Sequence, residues 1–324
     1  MATQEDTVLS QYVPGFRANL QMAPQQKDSK LIGAVESDLN YTEPGEMYNA
    51  DDVLPSDPED VQGRVPDTPD KFPAFDRTVG FFKGFHDSAW LDKVDQAREL
   101  EDPTSPIMAG MMAGRWRKAD ARILVDAIGT RYSKPNNAEA DNVAVTANAF
   151  PATQIVAASD VSLSHDGEVV PTNGSDYGLS VGKLLLASEL LDESEVEGDR
   201  YIAVGPRQIS DLLRRTPATS SYYAEVKALN TGTISEFLGF RFIKFPKARV
   251  PFVVGHDSAS ANRQCVAWVK PALIYKSRPI VNASIRTRAD KSDTPQAFYK
   301  SEHSAARRYD KGVVRIDCYE GPAY

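Results

Sequence analysis

The run PIMAGMMAGRWRKADARILVDAIG, residues 106–129, decides how the rest of the chain is read. Met108, Met112, Trp116, Ala119, Ile123 and Ala127 recur at three- and four-residue spacing, while Arg115, Lys118 and Arg122 lie on another face. That period marks one amphipathic helix. Thr104 or Ser105 can cap it, Pro106 sits in the first turn where its missing N–H costs little, and Gly129 ends it. The spacing predicts a helix over about 105–128, roughly 36 Å long at ~1.5 Å per residue, which exceeds an ordinary domain helix. Gly110 and Gly114 each weaken it by up to ~1 kcal/mol relative to alanine. Either close packing requires them or tertiary contacts outweigh the loss.

Working back toward the N-terminus, Ser88 is expected to open a helix to about Leu100, with Trp90, Leu91, Val94 and Leu100 as its stripe and Asp102-Pro103 as its stop. The segment 71–86 is dense in Phe72, Phe75, Val79, Phe81, Phe82 and Phe85 and reads as strand or extended chain. Residues 35–70 hold eleven acids, Glu36, Asp38, Glu43, Glu46, Asp51, Asp52, Asp57, Glu59, Asp60, Asp67 and Asp70, against the single base Arg64. That segment therefore carries -10 of a formal net charge of -8, which leaves about +2 on the remainder. It also contains Pro44, Pro55, Pro58, Pro66 and Pro69, and a loop so long is functional or disordered. Two readings stand: a floppy acidic insertion, or an extended hairpin that orders only against neighbouring subunits. Residues 1–34 scatter Val8, Leu9, Tyr12, Val13, Phe16, Leu20 and Met22 before the polar run Gln25–Lys30. They read as an arm with a short helix, so the first seventy-odd residues are expected to lack a core of their own.

Downstream, 130–177 reads as loops and short strands, with Val143–Val145 and Gln154–Val156 as candidates and Ser164–Glu168 as a turn. A helix is expected over about Ser180–Leu191, then a strand Tyr201–Val204, a helix launched by Gly205-Pro206, a short helix Tyr222–Leu229 and a strand Gly239–Ile243. Cys265–Val269, Ala272–Tyr275 and Val313–Cys318 are β-like, the last by alternation. Helices interrupted by strands without regular βαβ units indicate an α+β fold.

Composition narrows function by exclusion. The chain has 324 residues, 41% hydrophobic and 25% charged, with no uncharged apolar run near the ~20 residues a bilayer demands. No basic-then-apolar leader is expected at the N-terminus, and two cysteines, Cys265 and Cys318, make neither a disulfide scaffold nor a four-thiolate zinc site. The protein reads as cytosolic when made. No block is basic enough for a dedicated nucleic-acid binder. His86, His165, His256 and His303 are too dispersed for a local metal motif. Ser164-His165-Asp166 and His256-Asp257-Ser258 place triad residue types side by side, but triad members converge in space and not in sequence, so turns are the better account. Gly178–Lys183 departs from a phosphate loop in spacing and lacks Ser or Thr after Lys183, which is expected on a helix surface. No catalytic, cofactor or metal residue is assigned. Arg214-Arg215 and Arg307-Arg308, with Arg115, Arg117, Lys118 and Arg122, could neutralise an acidic neighbour; the alternative is ordinary solvated bases.

The order of elements resembles the major capsid protein of tailed double-stranded DNA bacteriophages, the family with the HK97-type fold. The resemblance is carried by Gln25–Leu31, by Asp102–Pro106 leading to the helix with Arg117, Asp120 and Ile123 through Gly129, and by Arg200–Pro206. Tyr223–Leu229 followed by Gly232 and Phe237–Ile243, and the tail Gly312–Ile316, complete it.

This resemblance implies an N-terminal arm at 1–34, an extended acidic loop at 35–75 and a peripheral domain at 76–135 with the spine helix about 105–128. It further implies an axial domain at 136–275 and peripheral closing strands at 276–324. The implied function is a structural shell protein, not an enzyme, that self-assembles into hexamers and pentamers of an icosahedral capsid enclosing DNA without sequence-specific binding. It would act in the virion after assembly in a bacterial host cytoplasm, with a separate scaffolding protein, a portal, a possible decoration protein and no membrane. The short arm leaves no room for a long scaffolding domain, and the absence of lysine from 31–70 argues against a loop-borne lysine crosslink. Expected intersubunit contacts are Glu36, Asp38, Asp51, Asp52, Glu59, Asp60, Arg115, Lys118, Arg122, Arg214, Arg215, Arg307 and Arg308. Rival readings are an encapsulin-like nanocompartment shell, an enzyme whose site assembles only in three dimensions, and a decoration or tail component.

Overall fold

The amphipathic run forms α1 (Thr104–Ile128). This computed structural model describes residues 25–56, 58, 60, 63, 75–90, 104–134, 145–159, 178–215, 222–232, 235–246, 256–257 and 262–319. The side chains of 104–106, 214–215, 256–257, 262 and 281–283 are excepted. Ala119, Ile123 and Ala127 are buried as the spacing predicts. In the first half the stripe rotates: Met111 and Ala113 are buried, whereas Met108 and Met112 are only partly covered.

The chain divides into two units. Among the described residues the smaller comprises 25–28, 85–90, 104–116 and 279–301. Its core is Met111, Ala297 and Tyr299, with Phe85, Ala89, Ile107 and Met108 packed around them. Phe85 and Tyr299 meet edge-on at 6.1 Å.

The larger unit is built on a sheet in the order β7-β15-β12-β8-β10-β9, with β11 (His256–Asp257) paired to β12. These strands are β7 (Ile155–Val156), β8 (Arg200–Val204), β9 (Glu236–Phe237), β10 (Phe240–Lys244), β12 (Asn262–Val269) and β15 (Val313–Tyr319). One core joins the sheet to α2 (Val181–Asp192), α3 (Pro206–Arg215) and α4 (Tyr223–Thr231) through Leu184, Leu191, Ile202, Leu212, Val226, Phe240 and Ile316, all at or below 2% exposure. Ser180 caps α2 by accepting from the Lys183 amide at 3.3 Å. Leu238 and Gly239, both with positive φ, make the two-residue turn between β9 and β10, so Gly239 turns the chain where a strand residue is expected.

In the same unit, β2 (Met47–Val53) pairs antiparallel with β3 (Phe75–Phe81), which pairs with β5 (Arg131–Lys134), and β5 with β6 (Thr146–Asn148). A further sheet runs β1-β13-β14-β4, with β1 (Glu36–Asp38), β4 (Lys83–Trp90), β13 (Leu273–Arg288) and β14 (Thr294–Arg307).

Three sequence expectations are corrected. Ser88–Trp90 end strand β4 instead of opening a helix, because β4 pairs with β14 while Phe85 and Ala89 pack on the core of the smaller unit; residues 91–100 lie outside the described residues. Lys183 is fully buried, not on a surface: its ammonium donates to the carbonyls of Ala158 at 3.0 Å and Asp317 at 2.8 Å. Part of the leading segment is ordered by the rest of its own chain and not by neighbours alone. Leu31, Ala34, Val35 and Tyr48 are buried, and the Trp268 indole donates to the Ala34 carbonyl at 2.8 Å. Asp120, fully buried on α1, accepts from the amides of Lys30 at 3.1 Å and Leu31 at 3.3 Å and from the Ser29 hydroxyl. The arm's short helix and the turn at Ser164–Glu168 lie outside the described residues.

Candidate functional site

Register in the hairpin β2–β3 creates an electrostatic problem at its far half. Asp51 faces Arg77 and Asp52 faces Asp76 across the two strands. The first pair is favourable, with the Arg77 guanidinium donating to both Asp51 oxygens at 2.6 and 2.9 Å. The second sets two carboxylates opposite each other, which destabilises a strand pair unless each finds a cation.

Both do. Arg308, just past β14, donates Nε to Asp52 at 2.8 Å, closes the fork on it with Nη2, and gives Nη1 to Glu36 of β1 at 2.8 Å. The Tyr309 hydroxyl adds a bond to Asp52 at 3.1 Å. These bonds to carboxylate raise the Arg308 pKa and fix its charge. Asp76 is met by Arg131 of β5, whose Nη2 also donates to Thr78 at 2.8 Å and whose Nη1 reaches Asp310 at 3.4 Å. Asp310 in turn accepts from the Arg307 Nε at 2.6 Å.

Arg307 is the most deeply buried of these arginines, its side chain fully covered. Its Nη1 donates to the Ala127 and Gly129 carbonyls at 3.0 and 2.8 Å, satisfying acceptors that the end of α1 leaves open. Its guanidinium lies 4.8 Å from the Phe150 ring. Burial lowers its pKa, opposed by the Asp310 hydrogen bond. At the near end, Arg278 lies 4.4 Å from the Phe82 ring and donates to the Glu43 and Gly45 carbonyls at 2.6 and 3.1 Å. Tyr41, Tyr48 and Phe82 pack on one another there. The Tyr48 ring needs Gly80 opposite it, since a Cβ at that position would fall 2.3 Å from the ring. The arrangement clamps a hairpin to its own chain.

The expected contact residues thus distribute unevenly. Glu36, Asp51, Asp52, Arg307 and Arg308 form ion pairs within the chain, as does Arg122 with Asp126. Arg115 lies 5.1 Å from the Trp116 ring. Asp38 is exposed and accepts from the Asn40 amide at 3.2 Å. Asp60 and Lys118 are exposed. Arg214 and Arg215 end α3, but their side chains, like all of Glu59, lie outside the described residues. Arg131, Asp76, Asp310 and Arg278 were not singled out from the sequence. Laying 47–53 against 75–81 antiparallel would have exposed the Asp52–Asp76 conflict and the need for arginines. Of the triad-like strings, His256 and Asp257 form β11, while Ser164–Asp166 and Ser258 lie outside the described residues. Among the described residues no three His, Cys, Asp or Glu side chains gather to hold a metal ion, and no helix is long and apolar enough to cross a membrane.

The fold is of the HK97 type, shared with phage capsid structures. The capsid protein of Ralstonia phage GP4 superposes with a TM-score of 0.68 at 12% identity, covering 97% of both chains. That of cyanophage P-SCSP1u gives 0.66 at 13% identity, covering 97% of this chain and 95% of its own. Cyanophage Pam1 gives 0.66 at 10% identity, covering 97% and 98%. No curated protein matches the sequence significantly.

The family model described as phage capsid protein matches residues 8–320, so the chain belongs to the phage capsid protein family. It is a structural protein of the phage capsid shell.

Proposed function

We propose that this chain builds an icosahedral shell of hexamers and pentamers around double-stranded DNA, and that it has no catalytic role. In this reading 1–34 is the arm, 35–75 the extended loop, 76–135 with 276–324 the peripheral domain, and 136–275 the axial domain. A separate scaffolding protein, a portal and a possible decoration protein take part, and assembly occurs in the bacterial cytoplasm. The net acidity limits adhesion between shell and genome.

The observation that carries the reading is the far end of the hairpin. Val53 and Phe75, paired across the strands, and Leu54 are 66%, 43% and 43% exposed, adjoining the proline-rich acids. A clamped base with an apolar, acidic far end suits a strand pair that meets a second copy of the chain. The intersubunit role of the charges then divides. Asp51, Asp52 and Glu36 set the hairpin in their own subunit, while Asp38, Glu59, Asp60, Arg115, Lys118, Arg214 and Arg215 remain candidates for neighbours.

Assembly measured by sedimentation at graded salt tests this. Neutralising Glu59 and Asp60 is expected to shift the salt dependence of assembly, and Val53→Asp with Phe75→Asp to leave folded, unassembled subunits. Shell formation unchanged by both sets would overturn the reading.

A further inference from the structure

Burial of the chain changes abruptly at Ser29: Lys27 and Asp28 are exposed, whereas Leu31, Ala34 and Val35 are buried. The division between the two units falls at the same point, between Asp28 and Ser29, and it crosses α1 between Trp116 and Arg117. Asp120 lies on the first turn of α1 inside the larger unit and is fully buried. Its Oδ2 accepts from the Lys30 amide at 3.1 Å, and its Oδ1 from the Leu31 amide at 3.3 Å and from the Ser29 hydroxyl. With its proton committed to Asp120, the Ser29 oxygen accepts from the amides of Leu31 and Ile32 at 3.2 and 3.1 Å. One carboxylate thus shapes a turn of chain that lies 90 residues before it. Further ties follow at once. Lys30 donates Nζ to the Lys244 carbonyl at 2.7 Å and lies 5.4 Å from the Phe245 ring centroid. The Trp268 indole holds the Ala34 carbonyl, and Glu36 begins the parallel pairing of β1 with β13.

We propose that Asp120 is the positioning residue of the N-terminal arm: it pins residues 29–32 to the long helix of its own subunit, so that every copy sends residues 1–28 towards a second copy from one fixed origin. A buried carboxylate stripped of its donors is costly, so Asp120 holds the turn closed. Release of residues 29–35 would lengthen the arm by seven residues, up to ~25 Å at full extension. A tether engages its target best when its length matches the span, and a loose root spreads the contact over many distances. The pin therefore sets the distance at which the arm meets a neighbour, a task separate from that of the charges that set the hairpin.

The consequence for assembly rests on the shell reading; the pin itself does not, and two measurements separate them. Hydrogen exchange in the full-length unassembled chain reads the pin at the amides of Lys30, Leu31 and Ile32. Asp120→Asn, which turns an N–H group towards one of the donors, and Ser29→Ala are each expected to lose at least about tenfold of the protection there, while β8 keeps its own. Ser29→Thr, which keeps the hydroxyl, is expected to retain it. Ser29 is partly exposed, so its variants carry the test should the helix variant fail to fold. Electron microscopy of assembled particles then reads the origin of the arm. The unaltered chain and Ser29→Thr are expected to give closed shells of one diameter, and Asp120→Asn and Ser29→Ala shells of mixed diameter or open sheets. Unchanged protection of residues 30–32 in both disrupting variants would overturn the proposal. So would loss of that protection alongside particles indistinguishable from those of the unaltered chain. An unaltered chain that protects the turn yet forms no closed shell would overturn the shell reading and, with it, the arm's destination, but not the pin.

Discussion

The seven-stranded sheet and the hairpin β2–β3 belong to the same unit and are held by opposite means. Around the sheet, Leu184, Ile202, Phe240 and Ile316 are fully buried in one apolar core, and ion pairs such as Arg241 with Asp199 and Glu236 lie on its exposed margin. In the hairpin, Asp52 and Asp76 oppose each other, and the pairing is rescued by Arg308 and Arg131 arriving from distant sequence. An apolar core tolerates many partners of about the right size. A pair of opposed carboxylates tolerates only cations in position, so the far half of the hairpin depends on four charges in addition to the burial of Tyr48 and Val79. The difference teaches that the far half of the hairpin relies on directional, salt-sensitive bonds, while the seven-stranded sheet relies on burial.

That contrast can be broken in graded steps. Phe240→Ala is expected to lose about 3–5 kcal/mol of stability, independent of salt, because it empties a fully buried ring site. Arg307→Ala should fall at or just below that, about 3–4 kcal/mol, since it leaves the carbonyls ending α1 unsatisfied and removes one of the two cations that Asp310 meets. Denaturant unfolding measures both.

Arg308→Gln is expected to lose about 1–3 kcal/mol and to lose less in high salt. Pairing it with Asp52→Asn should restore part of that, a coupling a double-mutant cycle reads directly. Equal salt sensitivity at Phe240 and Arg308 would erase the distinction between the regions. Arg77→Ala, whose partner Asp51 is half exposed, should change stability by about 0–1 kcal/mol.

Smallest of all, Arg288→Ala should leave the melting temperature unmoved. Arg288 hydrogen-bonds Asp290 and holds its carboxyl down at about 2, although both are on open surface. The variant should return that carboxyl toward its ordinary value, as an NMR titration shows. Because the folded value is depressed, the small contribution of this pair exists above the ordinary carboxylate range and vanishes as pH falls toward about 2.

How much of this was legible follows from the same contrast. The helix at 105–128, the strand at Arg200–Val204 and the helices at Val181–Asp192 and Pro206–Arg215 announce themselves through apolar period, because burial writes itself into spacing. The strand ending at Trp90 reads as a helix in the sequence because Trp90 fits a helical stripe as well as an exposed strand end, and only pairing of β4 with β14 decides between them. Lys183 looked like surface because a lysine's burial depends on carbonyls contributed by residues 158 and 317, which no local pattern discloses. Arg307 and Arg308 stood out as a pair, yet their partners Asp310, Asp52 and Glu36 are found only once strands are aligned. The long strands β13 and β14 carry enough polar residues to hide their alternation.

The claim on which the rest depends is that Asp52 and Arg308 bind each other within one subunit, setting the hairpin before neighbours meet it. An electron cryomicroscopy reconstruction of the assembled particle measures this most directly. A closed icosahedral shell in which Arg308 grips Asp52 and Glu36 of its own chain is expected. Density joining Arg308 to the Asp52 of a neighbouring chain, or a particle without such a shell, would contradict it.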